Sequence, residues 1–256
     1  MAEKPNFMNF TVDHMTLLLH PKLYAVAYPV FRIIFGVRPE DILYDKRRPA
    51  KGEHKEKSIT FATRIGDWKA NDNQNQKIST VIAVVQPSEP ENDPSHVREM
   101  LDGNKISAHW QHIALRTPDL IGFYNHALEH GVQFVTPILK DEEDNLIQVF
   151  SGEWFIPGAE ATGLFFEFLQ RNPSDSELSK LQEANKQTWF RDETFLGLYG
   201  EKEREYQSGN VAPFIAPELF NMILKYVEGK EMWQVNEDDI AHIAKMMKDF
   251  AKKNQK

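Results

Sequence analysis

Between residues 10 and 170 the sequence passes twice through one order of patterns: an extended run, an amphipathic helix, then three extended runs. In the first pass residues 10–19 alternate, with Val12, His14, Thr16 and Leu18 on one face and Asp13, Met15 and Leu17 on the other. Residues 22–35 then carry Leu23, Val26, Ala27, Val30, Phe31 and Ile34 at helical spacing and stop at Gly36, with Pro29 predicting a kink or a late start. Strand patterns follow at 42–46, 58–65 and 77–86. The second pass places a strand at 111–116, a helix at 118–130 stopped by Gly131, and strands at 133–138, 146–151 and 164–170. Thr117-Pro118-Asp119 suits a helix entry, with Pro in the first turn and Asp119 at the positive end of the helix dipole. The repeat is one of topology, not of residues. It predicts an α+β fold in which two βαβββ repeats form an open barrel with a cavity between the copies.

Residues 87–94 carry three prolines and no apolar run and read as a connector, followed by a short helix over 95–101. Beyond Asn172 the patterns turn helical: a segment capped by Ser174 or Asp175 and running to Lys186, another over 217–227, and a last one capped by Asn236. That last helix has one apolar face of Ile240, Ile243, Ala244, Met247, Phe250 and Ala251, while 201–210 reads as exposed loop. The expected organisation is a domain over 8–172, with repeat one at 10–86, a linker at 87–107 and repeat two at 108–172. A helical C-terminal extension over 173–256 packs on the barrel.

Composition narrows the chemistry. A net charge of −8, with no basic cluster broader than Lys46 to Arg48, argues against nucleic acid as a partner. With no cysteine in the 256 residues, a metal has only His, Asp and Glu to hold it. The amino end lacks an apolar segment of signal-peptide length, and the longest apolar stretch, 23–37, holds Pro29 and Arg32 and is too short to span a bilayer. The expectation is a cytoplasmic protein with no membrane partner.

The run from Gly163 to Arg171 brackets one acid, Glu167, with Phe165, Phe166, Phe168 and Leu169. On a strand covered on both sides, Phe165, Glu167 and Leu169 share a face. A buried carboxylate costs several kcal/mol unless a cation meets it. An arginine, with Arg116 a candidate, a lysine or a metal ion is the expected partner. His14 and His112 sit at matching places in the first strands of the two copies, and Glu167 lies in the last strand of the second copy. Two imidazoles and a carboxylate leave half of an octahedron open, the donor set that suits non-haem Fe(II) and dioxygen. His20 reads as a turn residue, His109 faces away from His112, and His126, His130 and His242 fall on helices as solvated side chains.

Thr11-Val-Asp-His-Met15, Trp110-Gln-His-Ile-Ala-Leu115, Gly131-Val-Gln-Phe-Val-Thr-Pro137, Asn145-Leu-Ile-Gln-Val-Phe150 and Gly163-Leu-Phe-Phe-Glu-Phe-Leu-Gln-Arg171 together resemble the catalytic domain of 4-hydroxyphenylpyruvate dioxygenases, members of the vicinal-oxygen-chelate superfamily. The resemblance covers residues 10–171. It implies His14, His112 and Glu167 as ligands of Fe(II), a 2-oxo acid and dioxygen as substrates, and oxidative decarboxylation with hydroxylation as the reaction. It also implies Gln148 as the catalytic amide that holds the substrate, and a homodimer. Where the family has a substrate-binding glutamine ahead of the second ligand strand, His96 is the counterpart. The family carries a further pair of repeats ahead of this domain, whereas about ten residues precede the first strand here, and its Gly-Phe-Gly closing helix has no match. A metal-dependent lyase or isomerase on the same fold, and an inactive small-molecule binding protein, are the alternatives.

Overall fold

A computed structural model of the chain describes residues 4–46, 58–71, 77–87, 95–141, 145–184 and 194–254. The twofold order of elements is present. The first pass is β1 (Thr11–Leu19), α1 (Pro21–Ile34), β2 (Ile42–Lys46), β3 (Ser58–Asn71) and β4 (Lys77–Pro87), and α2 (His96–Gly103) follows it. The second pass is β5 (Ala108–Arg116), α3 (Leu120–Glu129), β6 (Leu139–Asp141), β7 (Leu146–Phe150) and β8 (Phe165–Arg171). Four helices complete the chain: α4 (Asp175–Ala184), α5 (Thr194–Ser208), α6 (Pro217–Val227) and α7 (Glu237–Asn254). The class is α+β, with one mixed sheet in the order β2-β3-β4-β1-β5-β8-β7-β6. The connector at 88–94 and Arg47 and Arg48 of the basic triplet lie outside the described residues.

The chain divides into two compact units, one of Thr11–Arg116 with Arg191–Asn210, the other of Met1–Phe10, Thr117–Phe190 and Val211–Lys256. In the first, β1 separates two apolar layers because its side chains alternate. Leu17 and Leu19 face α1, where Tyr24, Ala27, Tyr28 and Phe31 pack with Phe61, Ile82 and Val84. Leu18 faces the other way and packs with Val85, with Val97, Met100 and Leu101 of α2, and with Tyr206 of α5. His20, expected in a turn, caps α1 by accepting a hydrogen bond from the Lys22 amide at 3.2 Å. Pro29 does not interrupt the helix: it leaves the Ala25 carbonyl without its helical donor, but both residues are exposed and water can serve.

The expectation of a loop over 201–210 is corrected by α5, which runs through Ser208. Its polar sequence hides the helix. Arg204–Glu201 and Lys202–Glu205 pair at helical spacing, and Leu198 and Lys202 are buried with the aliphatic stem of the lysine.

In the second unit, Asp119 is the N-cap of α3, accepting from the Gly122 amide at 2.8 Å, so Pro118 lies just outside the helix instead of in its first turn. Phe123 packs against Phe10 and Phe168, and Leu120 is fully buried. The strand expected at 133–138 is displaced to β6. Pro137 has no N–H for a ladder, and the preceding segment makes isolated bridges on two sides, Phe134 to Ser151 and Val132 to Ile215, with the Gln133 amide donating to Phe214. Gly152 permits that approach, since a Cβ there would stand 2.2 Å from the Pro213 carbonyl oxygen. Asn236 caps α7 as expected, accepting from the Asp238 and Asp239 amides. Of the expected apolar face of α7, Ala251 is buried, but Ile240 is 51% exposed. His126 and His130 are half-buried with their rings in contact, whereas His242 is exposed and stacks on Tyr226. No described helix is long and apolar enough to cross a membrane.

Candidate metal centre

The two histidines are placed by the antiparallel pairing of β1 with β5. Residues directly opposite one another in such a pair share a face. His14 is opposite Ala114 and Thr16 is opposite His112, so both imidazoles and the Thr16 hydroxyl leave the same side of the sheet. Leu18, two residues on, belongs to that side too. Its packing partners in α2 and α5 therefore cover one end of the face that carries the histidines. The two rings lie 5.5 Å apart between centroids, nearly perpendicular. His112 is buried at 3% exposure, whereas the His14 side chain is 21% exposed, so solvent reaches this pair from the His14 side.

The pairing slips twice, once at each histidine. Val12 and His14 pair with Leu115 and Ala114, which leaves Asp13 as an extra residue on β1. His112 and Trp110 pair with Thr16 and Leu17, which leaves Gln111 as an extra residue on β5. Each slip is a β-bulge, in which two residues oppose one. Asp13 Oδ1 lies 3.2 Å from His14 Nδ1, and Gln111 Oε1 lies 3.1 Å from His112 Nδ1. The other imidazole nitrogen of His112, Nε2, is 2.9 Å from Thr16 Oγ1. Gln111 Nε2 in turn reaches His96 Nε2 at 3.1 Å. Thr16, His96, Gln111 and His112 are all buried.

Glu167 is placed by β7 and β8. It is opposite Phe150, and Gln148 is opposite Leu169, so Glu167, Gln148, Phe150, Leu169 and, by alternation, Phe165 share a face. All five are buried. Phe168 on the reverse face packs under α3, and Gln170 accepts from the Leu120 amide and donates to Glu177. Gln170 is thus a helix anchor, while Gln148 shares the face of the acid.

His14, His112 and Glu167 each offer one ligand atom, and these atoms lie within 4.8 Å of one another. It is the set of histidines and acids, among the described residues, that could hold a metal ion. Two imidazole nitrogens and a carboxylate oxygen fit a borderline divalent cation of the first transition row. Arg116, the alternative partner for Glu167, is exposed. His96 lies two hydrogen bonds from His112 through Gln111. Sequence reasoning passed over Asp13, Thr16 and Gln111. The available signals were an acceptor immediately ahead of each histidine and a hydroxyl at strand spacing from His14.

No protein-family model and no curated protein matches the chain. Among solved structures it is similar to a mutant of 4-hydroxymandelate synthase from Streptomyces coelicolor, with a TM-score of 0.49 and 16% identity over 77% of this chain. The alignment spans 55% of that protein, so the chain accounts for about half of its length. A methylmalonyl-CoA epimerase matches with a TM-score of 0.44 and 19% identity, over 67% of this chain and 100% of the other. A variant of the Streptomyces coelicolor methylmalonyl-CoA epimerase in complex with 2-nitronate-propionyl-CoA gives 0.41 and 15%, over 63% and 97%. At these scores the likenesses carry no inference about activity.

Proposed function

We propose that the chain is a non-haem Fe(II) dioxygenase of the vicinal-oxygen-chelate type acting on a 2-oxo acid. The observation that carries the reading is the convergence of His14, His112 and Glu167 on one point from three separate strands. Two imidazoles and one carboxylate would hold ferrous iron and leave coordination positions for substrate and dioxygen. When bound, iron in such a set supplies the activation of dioxygen against a chelating 2-oxo acid.

The remaining work falls to the chain. Glu167 neutralises part of the cation's charge from a buried position, and His112 holds a fixed ring orientation through Gln111. Gln148 presents an amide on the face of Glu167, where it orients the substrate. Phe150, Phe165 and Leu169 on the same face exclude water from the reacting atoms. In the overall reaction the bond between C1 and C2 of the 2-oxo acid breaks and carbon dioxide leaves. One oxygen atom enters the new carboxylate and the other becomes a hydroxyl on the same molecule. Both atoms of dioxygen and its four electron equivalents are thereby accounted for.

The test is anaerobic loading with Fe(II), followed by oxygen uptake and carbon dioxide release with aryl and alkyl 2-oxo acids. Coupled uptake and release, absent from His112→Ala, supports the proposal. Iron binding without oxygen uptake on any 2-oxo acid moves the site to non-oxidative lyase or isomerase chemistry. Failure to bind any divalent metal leaves a binding protein.

A further inference from the structure

We infer that Asp13 and Gln111 are a matched pair of positioning residues, which hold His14 and His112 in the tautomer with hydrogen on Nδ1 and Nε2 as the basic nitrogen. In a regular strand successive side chains leave opposite faces, so a residue does not meet the ring of the residue after it. Both bulges remove that restriction, because the extra residue and the histidine then oppose a single partner. The outcome is two hydrogen bonds between sequence neighbours, at 3.2 Å in one copy and 3.1 Å in the other.

The direction of each bond follows from donor and acceptor inventory. A carboxylate has only acceptors, so Asp13 takes hydrogen from His14 Nδ1. The Gln111 amide is oriented from its far end. Its nitrogen lies 3.1 Å from the ring nitrogen of His96, where it donates, and this turns its oxygen toward His112 Nδ1. His96 stands in the first turn of α2, whose Val97, Met100 and Leu101 are buried in the core, and Ser95 caps that turn. With Nδ1 of His112 donating, the Thr16 hydroxyl donates to Nε2 at 2.9 Å. Each of these three bonds from His96 to Thr16 then joins a donor to an acceptor.

The chemical consequence rests on the reading of the two histidines as metal ligands. Each ring presents Nε2 in a fixed plane, with an acceptor behind it that raises its basicity. Loss of such an acceptor lowers metal affinity about 10- to 100-fold. The same device recurs in both copies at the same sequence offset, one residue ahead of the histidine.

Long-range proton–nitrogen NMR correlations on the metal-free protein, near pH 8 and so above the ~6.5 of an ordinary imidazole, read each tautomer directly. Both rings are expected with hydrogen on Nδ1. Gln111→Leu is expected to change His112 alone, and Asp13→Ala to change His14 alone. Titration with Co(II), followed by its visible spectrum, is expected to show each variant weakened about 10- to 100-fold. Gln111→Glu, which keeps an acceptor at that place, restores tautomer and affinity. Hydrogen on Nε2 in the wild-type rings, or unchanged tautomer and affinity in Gln111→Leu, overturns the inference. Wild-type protein that keeps both tautomers yet binds no Co(II) upholds the assignment and overturns the metal-centre reading instead.

Discussion

Thr16 stands directly opposite His112 across the β1–β5 pair, with its hydroxyl 2.9 Å from the imidazole Nε2. The nitrogen that a cation needs therefore lies within hydrogen-bonding reach of a hydroxyl. Thr16→Val keeps the shape and removes the competitor. Since a net hydrogen bond contributes about 0.5–1.5 kcal/mol, Co(II) or Fe(II) is expected to bind roughly 2- to 10-fold more tightly. Competition against a chromophoric chelator measures this, and weaker binding would show that the hydroxyl assists the metal instead.

Glu167→Gln removes a charge from a site at 3% exposure while keeping its volume. Metal affinity should fall by more than the roughly 100-fold expected for residues that only support ligands. Without metal, the variant should melt close to the wild type, because the amide keeps the volume of the side chain. Paired melting curves in chelator and in excess Co(II) check both halves. A lower melting temperature in chelator would mark Glu167 as a structural acid.

Gln148 shares the face of Glu167 and carries a neutral amide in place of a carboxylate. Gln148→Leu should leave metal affinity within about 2-fold and raise KM for an active 2-oxo acid about 10-fold or more, the scale of one lost polar contact to a charged group. Equal activity in the two proteins would remove Gln148 from the substrate site.

Asp239 ties α6 to α7. It accepts from Tyr226, Lys230 and the Asn236 amide, and the Lys230 ammonium leads these contacts in pushing its carboxyl down to about 2. A depressed folded-state value means stability present above the ordinary carboxylate range and lost as pH falls toward 2. The partner shift has the opposite sign: Lys230 is raised, chiefly by its hydrogen bond to Asp239, so its contribution is lost only in strong alkali. The melting-temperature deficit of Asp239→Asn should thus be constant from about pH 5 to 9 and shrink between about pH 4 and 2. A pH-independent deficit would assign it to packing alone.

Gly152→Ala should destabilise by about 1–3 kcal/mol, the cost of overpacking. Relief of chain entropy ordinarily favours alanine by about 0.4–1 kcal/mol. Here the added carbon meets the Pro213 carbonyl oxygen at 2.2 Å, and that backbone bonds the Gln133 side chain. Denaturant unfolding with an unchanged midpoint would show that the 211–215 segment yields freely.

How much of this was legible in the sequence depends on whether a feature is local. The twofold order of elements, the bounds of β2 and α6, and the cap at Asn236 follow from side-chain period and capping chemistry within a few residues. His14, His112 and Glu167 could be singled out because strand parity makes each face inward. Helix α5 escaped notice because its apolar signal is thin. Leu198 and the stem of Lys202 become buried and Tyr206 meets α2 only once β1, β4 and α2 are assembled. The strand expected at 133–138 gave way to isolated bridges, to Ser151 on one side and to residues some eighty positions later on the other. The bulges at Asp13 and Gln111 belong to neither strand alone, since register is a property of two chains side by side. By itself the sequence determined which residue types could serve as ligands and on which faces they lie. Only the tertiary structure decided which acceptor stands behind each imidazole, because that depends on where one strand slips against another.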